Sequence, residues 1–310
     1  MQYTVVNDIP VSRLVLGTDG YGVVLDNSSC HRLLDIYTDN GGTVIDTARS
    51  YCGGRSEACI GAWLKSSGKR EQVFLSTKGG FPPAGHMEIS RLSEEELRHD
   101  MEESLRTLSV DHVDIYWLHR DNDAIPVGVL CEICAAFVRE GKTKMIGLSN
   151  WTGARIQAFN DYARAHGLPE AVASQIQFTT AHPNRENIDS TLVVMNEAEF
   201  SFYQTSHMPV FSFSSQAKGY FFKLENSLPL SEKASFRFDN DISRQRFLRL
   251  ADVAKTHGIS VGAAGTVALT SITDFPVLPI LGCKSESQLL SSLTAADITF
   301  TAQELQYIFT

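Results

Sequence analysis

Eight short apolar runs alternate with longer amphipathic stretches along the 310 residues. The runs are 13–17, 43–45, 73–77, 113–118, 144–148, 172–175, 209–213 and 277–281. Strands that alternate with helices build either an open doubly wound sheet or a closed (β/α)8 barrel. The open dinucleotide-binding sheet needs a GxGxxG turn, and none follows any of the runs. The count of eight, with this length, favours an α/β TIM barrel. Apolar residues make up 43% of the chain, enough to bury one large core, so residues 1–310 are expected to form a single domain. Helical patterns fill the gaps. Ser93 with Glu96 reads as a capping box, and Leu97, Met101, Leu105 and Leu108 then mark one face. A second helix carries Leu130, Cys134, Phe137 and Val138 and stops at Gly141; a third follows Thr152 and stops at Gly167. Two connections are stretched, 79–91 and 214–240, and long segments after barrel strands fall on the carboxyl-terminal rim, where active sites sit.

Charge and cysteine content narrow the partners. The formal net charge of −9 offers no basic surface to nucleic acid or to an anionic membrane. No apolar run nears the ~20 residues of a membrane helix. The opening MQYTVVNDIPVSR lacks a charged head and apolar stretch, so a soluble, cytoplasmic protein is expected. The six cysteines are too irregular for a disulfide framework. Cys131 and Cys134 form one CxxC inside a helical pattern, and no second pair stands where a zinc site would need it, so no metal is expected.

The chemistry collects at the strand ends. The second run leads into Asp46, with Tyr51 five residues later. The third ends at Lys78, and the fourth at His119-Arg120-Asp121. The fifth ends at Ser149-Asn150, the sixth at Gln175, the seventh at Phe213-Ser214, and the eighth opens into Gly282-Cys283-Lys284-Ser285. Each residue alone has a plain structural role open to it. In a barrel, however, all these ends meet on one rim. There a lysine near an aspartate can tune a phenol into a general acid. A histidine can orient a carbonyl, amides can hold a carboxamide, and an aromatic can stack on a flat ring. Together they describe carbonyl reduction by a nicotinamide.

The stretches GGTVIDTARSY, FLSTKGG, DIYWLHRD, KMIGLSNW, SQIQ, VFSFSSQAKGYF and LGCKSESQL occur in that order. With them the chain resembles the aldo-keto reductase family over nearly its whole length. The resemblance implies a barrel whose floor is plugged by a β-hairpin formed before Arg13. It implies a catalytic set of Asp46, Tyr51, Lys78 and His119, with Tyr51 the proton donor and Lys78 lowering its pKa. Ser149, Asn150 and Gln175 would hold the nicotinamide carboxamide, and Phe213 would stack on the ring. Ser214, Gln216 and Gly219 would wrap the pyrophosphate. Lys284, Ser285 and Gln288 fall where the family grips the adenosine 2′-phosphate, which implies NADP(H) in preference to NAD(H), and Gly282 just before them is expected among the cofactor-binding residues.

Three departures bear on these expectations. Phe213-Ser214-Ser215-Gln216 stands where Tyr-Ser-Pro-Leu is frequent, which leaves the loop geometry open. Ser291-Ser292 replaces a Glu-Asn pair that commonly reads adenine. Asp19 occupies a usually apolar rim position. With Arg120 and Asp121 it points to a polar or sugar-like carbonyl substrate. Two other functions stay open at this stage: a lysine Schiff-base aldolase barrel, and a nicotinamide-binding subunit with weak turnover.

Overall fold

Asn7 and Asp8 take positive φ, 46° and 66°, the tight-turn geometry that matches the twist of paired strands. They fold β1 (Tyr3–Val6) antiparallel onto β2 (Ile9–Ser12). The computed structural model describes residues 1–310. Eight parallel strands follow: β3 (Val15–Gly17), β4 (Val44–Asp46), β5 (Phe74–Gly79), β6 (Val113–Leu118), β7 (Thr143–Ser149), β8 (Ala171–Gln177), β9 (Val210–Phe213) and β10 (Val277–Leu281). They close as β10-β3-β4-β5-β6-β7-β8-β9. This is the (β/α)8 barrel expected from the alternation, with strand limits within about two residues of the apolar runs.

The barrel interior shows why the site lies at one end. Val15, Val44, Phe74, Ile115, Met145, Ala173, Phe211 and Leu278 form one buried layer. Val6 and Val11 of the hairpin join it from below and seal the floor, as the family resemblance implied. Side chains on a strand alternate between faces, so the residue two positions on points inward one layer higher. That layer turns polar: Asp46 stands above Val44, Ser76 and then Lys78 above Phe74, and Gln175 above Ala173. Trp117 also points inward and is fully buried. Its ring lies across Gly147 in register, where a Cβ would sit 2.2 Å from the indole. Glycine is required at that close approach.

The helices follow the local signals. Ser93 and Glu96 form a reciprocal capping box at the start of the helix Glu94–Leu108, and its apolar face is buried. Thr152 caps the helix Gly153–His166, and Gly167 ends it in the left-handed conformation. Cys131 and Cys134 are buried in the helix Val127–Arg139, and all six cysteines are free thiols. No helix is long and apolar enough to cross a membrane. Of the long connections, 79–91 and 214–240 were visible in the sequence. A third, 178–196, was not: it runs from β8 to the helix Glu197–Ser206. Its backbone near Val194 bridges to Gln177, so it extends the rim above β8.

Candidate active site

At the centre of the rim is Lys78, whose side chain is fully buried. Its ammonium donates to Asp46 Oδ2 at 2.6 Å, to the Thr47 carbonyl at 2.7 Å and to the Tyr51 hydroxyl at 3.3 Å. An ammonium has three protons, so its donor capacity is filled. The other oxygen of Asp46 accepts from Ser76 Oγ at 2.7 Å and from Gln175 Nε2 at 3.0 Å. Burial pulls the Lys78 pKa down, but Asp46 and Tyr51 outweigh it and the result lies above the ordinary value. Lys78 is therefore a fixed cation at neutral pH.

Tyr51 is delivered by an unusual turn. Cys52, Gly53 and Gly54 all take positive φ, which swings the chain sharply into the helix Arg55–Ser67. Behind the turn, Arg49 pairs with Glu57 at 2.6 Å, and Thr77 donates to the same carboxylate at 2.7 Å. Glu57 is completely buried in the first turn of that helix, where the helix dipole favours a carboxylate. Sequence reasoning missed this anchor. Burial raises the Tyr51 phenol above its ordinary value, Lys78 pulls it down, and Asp46 and Asp19 push it up. The sequence suggested a depressed phenol. The pull of Lys78 is present, but desolvation exceeds it, in part because Asp46 counters the lysine charge.

His119 follows β6 directly. Its ring meets Tyr51 edge-on at 5.9 Å and tilts against Phe81 at 4.7 Å. Burial, with Lys78 and Arg120 adding, drives the imidazole pKa well below its ordinary value, so the ring is neutral at pH 7. Its Nδ1 is buried without a partner. An unpaired buried N–H is rarer than an unpaired acceptor, which favours the tautomer with hydrogen on Nε2.

The expected amide holders gather beside this group. Asn150 has φ of 60° and donates through Nδ2 to Ser149 Oγ at 3.1 Å, while its Oδ1 accepts from the Val193 amide at 3.3 Å. Asparagine tolerates this left-handed backbone better than most residues. Phe213 ends β9, half-buried at the mouth. Beyond it Ser214, Ala217, Lys218 and Gly219 all take positive φ. Gln216 ties this loop to the next one, donating to Ser292 Oγ at 2.8 Å and accepting from the Gly282 amide at 3.2 Å. Lys284 donates its backbone amide to Gln288 Oε1 at 2.8 Å, and Ser285 caps the helix Glu286–Leu293. A cavity of about 320 Å³ opens there, lined by Ser29, Arg32, Leu33 and residues 284–287. Arg32 pairs with Glu286 across it at 2.7 Å.

The three residues expected at the substrate end separate. Asp19 is exposed on the rim, near enough to act on Tyr51 and Lys218. Arg120 lies over the Phe81 ring at 4.8 Å. Asp121 does not join them, because both its oxygens are taken by Arg155 at 2.9 Å. Lys218 is an addition: Arg237, Lys233 and Lys284 all act on it from neighbouring segments.

A family model described as the aldo/keto reductase family matches residues 13–309. The YrpG oxidoreductase of Bacillus subtilis is 35% identical over 182 residues, which covers 54% of this chain and 56% of that protein. The chain spans about half the length of this and other curated relatives that it matches. An aryl-alcohol dehydrogenase of Pestalotiopsis microspora is 26% identical across 89% of this chain and 70% of its own. The crystal structure of a thermostable aldo-keto reductase, Tm1743, superposes with a TM-score of 0.76 at 24% identity, covering 100% and 99% of the two chains, and so shares the fold. With the family model matched across nearly every residue, the chain belongs to the aldo/keto reductase family.

Proposed function

We propose that the protein is an NADPH-dependent reductase of aldehydes or ketones, run in reverse as an alcohol dehydrogenase when conditions favour it. The observation that carries this reading is Lys78, with its three protons committed to Asp46, Thr47 and Tyr51. A lysine so bound and so fully charged cannot attack a carbonyl, which argues against a Schiff-base aldolase. It is suited instead to steadying charge on a phenol.

The donors along the rim fit a nicotinamide dinucleotide. Ser149, Asn150 and Gln175 offer amide and hydroxyl groups at the buried end. Lys218, Lys233, Arg237 and Lys284 supply positive charge toward the far end, and Ser285 with Lys284 lines the cavity there. Such a cofactor supplies hydride equivalents to a carbonyl carbon. The chain supplies the rest. His119, neutral and hydrogen-bearing on Nε2, orients the carbonyl oxygen. Tyr51 gives its phenolic proton to that oxygen as negative charge develops, and Lys78 stabilises the phenolate left behind. A phenol pKa above the ordinary value keeps Tyr51 protonated and ready at neutral pH.

A polar carbonyl compound suits the charged side chains at the mouth. An aromatic carbonyl is the second candidate, favoured by Phe81 against His119 and by the named activity of the Pestalotiopsis relative. The test is Tyr51→Phe, followed by loss of nicotinamide absorbance with a simple aromatic aldehyde. General acid catalysis contributes ~10²–10⁴-fold, so turnover falls by at least about a hundredfold while cofactor affinity stays within a few-fold. A mutant keeping more than about a tenth of the wild-type rate removes Tyr51 from the role. A wild type that binds the dinucleotide without turnover favours a binding subunit instead.

A further inference from the structure

The arginine that follows His119 makes no direct ion pair. Arg120 is half-buried, and desolvation draws its guanidinium below the ordinary value, only partly offset by Asp189 and Tyr51. Its hydrogen bonds go to neutral acceptors: Nη1 to the His119 carbonyl at 2.8 Å and Nε to Thr191 Oγ1 at 3.2 Å. Nη2 has no partner in the chain, and no carboxylate stands within ion-pair distance. Other enclosed arginines divide: Arg49 pairs with Glu57, Arg91 with Asp100 and Arg155 with Asp121, whereas Arg13 and Arg246 donate to the Thr270 and Thr180 carbonyls, and of these unpaired three only Arg120 adjoins His119. Asp121 is adjacent in sequence, yet it serves Arg155 and not Arg120. Asp189, the nearest carboxylate in effect, has one oxygen committed to the Thr191 amide and hydroxyl, both at 2.8 Å.

The placement of this cation matters. Arg120 lies on one side of Phe81, and the same ring tilts against His119. Phe81 thus bridges His119 and Arg120, which puts the guanidinium one aromatic ring away from the imidazole. A partly desolvated charge is costly unless an anion meets it. The planar guanidinium, fixed at two nitrogens and stacked on an aromatic ring, is prepared to receive oxyanions.

We infer that Arg120 selects substrates bearing a carboxylate on the side of the molecule away from the reacting carbonyl. This rests on the reductase reading and deepens it: the substrate is an acidic aldehyde or ketone, not a neutral sugar.

The experiment compares the 2-, 3- and 4-carboxybenzaldehydes with their methyl esters. kcat/KM is measured for the wild type, Arg120→Met and Arg120→Lys. Benzoate binding is measured by calorimetry on the same three proteins without turnover. The wild type is expected to prefer at least one acid over its ester. In Arg120→Met the acid-to-ester ratio falls at least about tenfold, the scale of one charged hydrogen bond, and Arg120→Lys recovers part of it. Benzoate affinity follows the same order. A wild type that prefers every ester, or a ratio unchanged in Arg120→Met, overturns the inference while leaving the reductase reading intact. If no aldehyde is turned over, the reductase reading fails by itself. Benzoate binding lost with Arg120→Met then still supports a carboxylate site, and binding indifferent to Arg120 overturns it.

Discussion

Lys78 and Tyr51 share one hydrogen bond and one pH response. In the proposed reaction reduction needs Tyr51 protonated and oxidation needs its phenolate, so the reduction rate is expected to hold across neutral pH and to fall only as pH rises through the phenol pKa. Burial places that pKa above the ordinary value, and the Lys78 charge is what keeps it from rising further. Lys78→Met removes the opposing pull, so the alkaline limb moves to higher pH. Oxidation of an alcohol needs the phenolate, so the same variant loses that direction most severely at any accessible pH. It also leaves Asp46 buried without its cation, a loss of about 3–5 kcal/mol by the usual cost of breaking a buried pair. Urea denaturation therefore accompanies the pH profiles, and Lys78→Arg, which keeps the charge, separates folding from tuning. An unmoved alkaline limb in a folded Lys78→Met would show that some other group tunes Tyr51.

At the scale of elements, each strand that leads to a candidate site residue was legible because it is rich in apolar residues and its end is polar. The strands ending near Asp46, Lys78, His119 and Gln175 are almost wholly buried, and their apolar content reads as that of parallel strands covered on both faces, although Asp114, Ser76, Thr77 and Ser174 interrupt it. The connection 178–196 was hidden because it has no glycine and carries its own apolar stretch, Leu192-Val193-Val194. Other partners have no sequence signal at all. The Thr47 carbonyl that holds Lys78 is backbone, and Thr191 meets Arg120 across 71 residues. Glu57 reads as an ordinary carboxylate in a helix's first turn, and only its burial against Arg49 and Thr77 reveals that it anchors the Tyr51 turn. Glu57→Ala strands Arg49 and loosens that turn. The expected outcome is a loss of about 3 kcal/mol in urea denaturation, with kcat falling more than KM rises because proton donation is displaced. Glu57→Gln, which keeps the bond from Thr77, recovers part of both. An unchanged kcat in a destabilised Glu57→Ala would confine the residue to folding.

Across the whole molecule two electrostatic scales oppose each other. The chain carries a net charge of −9, which repels a phosphorylated dinucleotide at long range. Arg237, Lys233 and Lys284 all act on Lys218, against Asp19, and interactions between charges closer than the Debye length of ~10 Å at 0.1 M salt escape most screening. The local cluster therefore governs binding once the cofactor arrives. NADPH differs from NADH by the 2′-phosphate, and Lys284 with Ser285 lines the cavity proposed to take it. Glu286 is also there and in isolation would accept from a free ribose hydroxyl and favour NADH. Its carboxylate is instead engaged by Arg32 at 2.7 Å, which leaves the cations dominant. The wild type is thus expected to prefer NADPH, and its KM for NADPH should rise with salt more steeply than its KM for NADH. Lys284→Ala should cost about 1.5–3 kcal/mol, roughly tenfold or more in kcat/KM, for NADPH alone, and should flatten the difference in salt response. Steady-state kinetics with both cofactors at low and high salt provides the check. Equal losses for the two cofactors, or a wild type that prefers NADH, would remove Lys284 as the reader of the phosphate and hand the selection to Glu286.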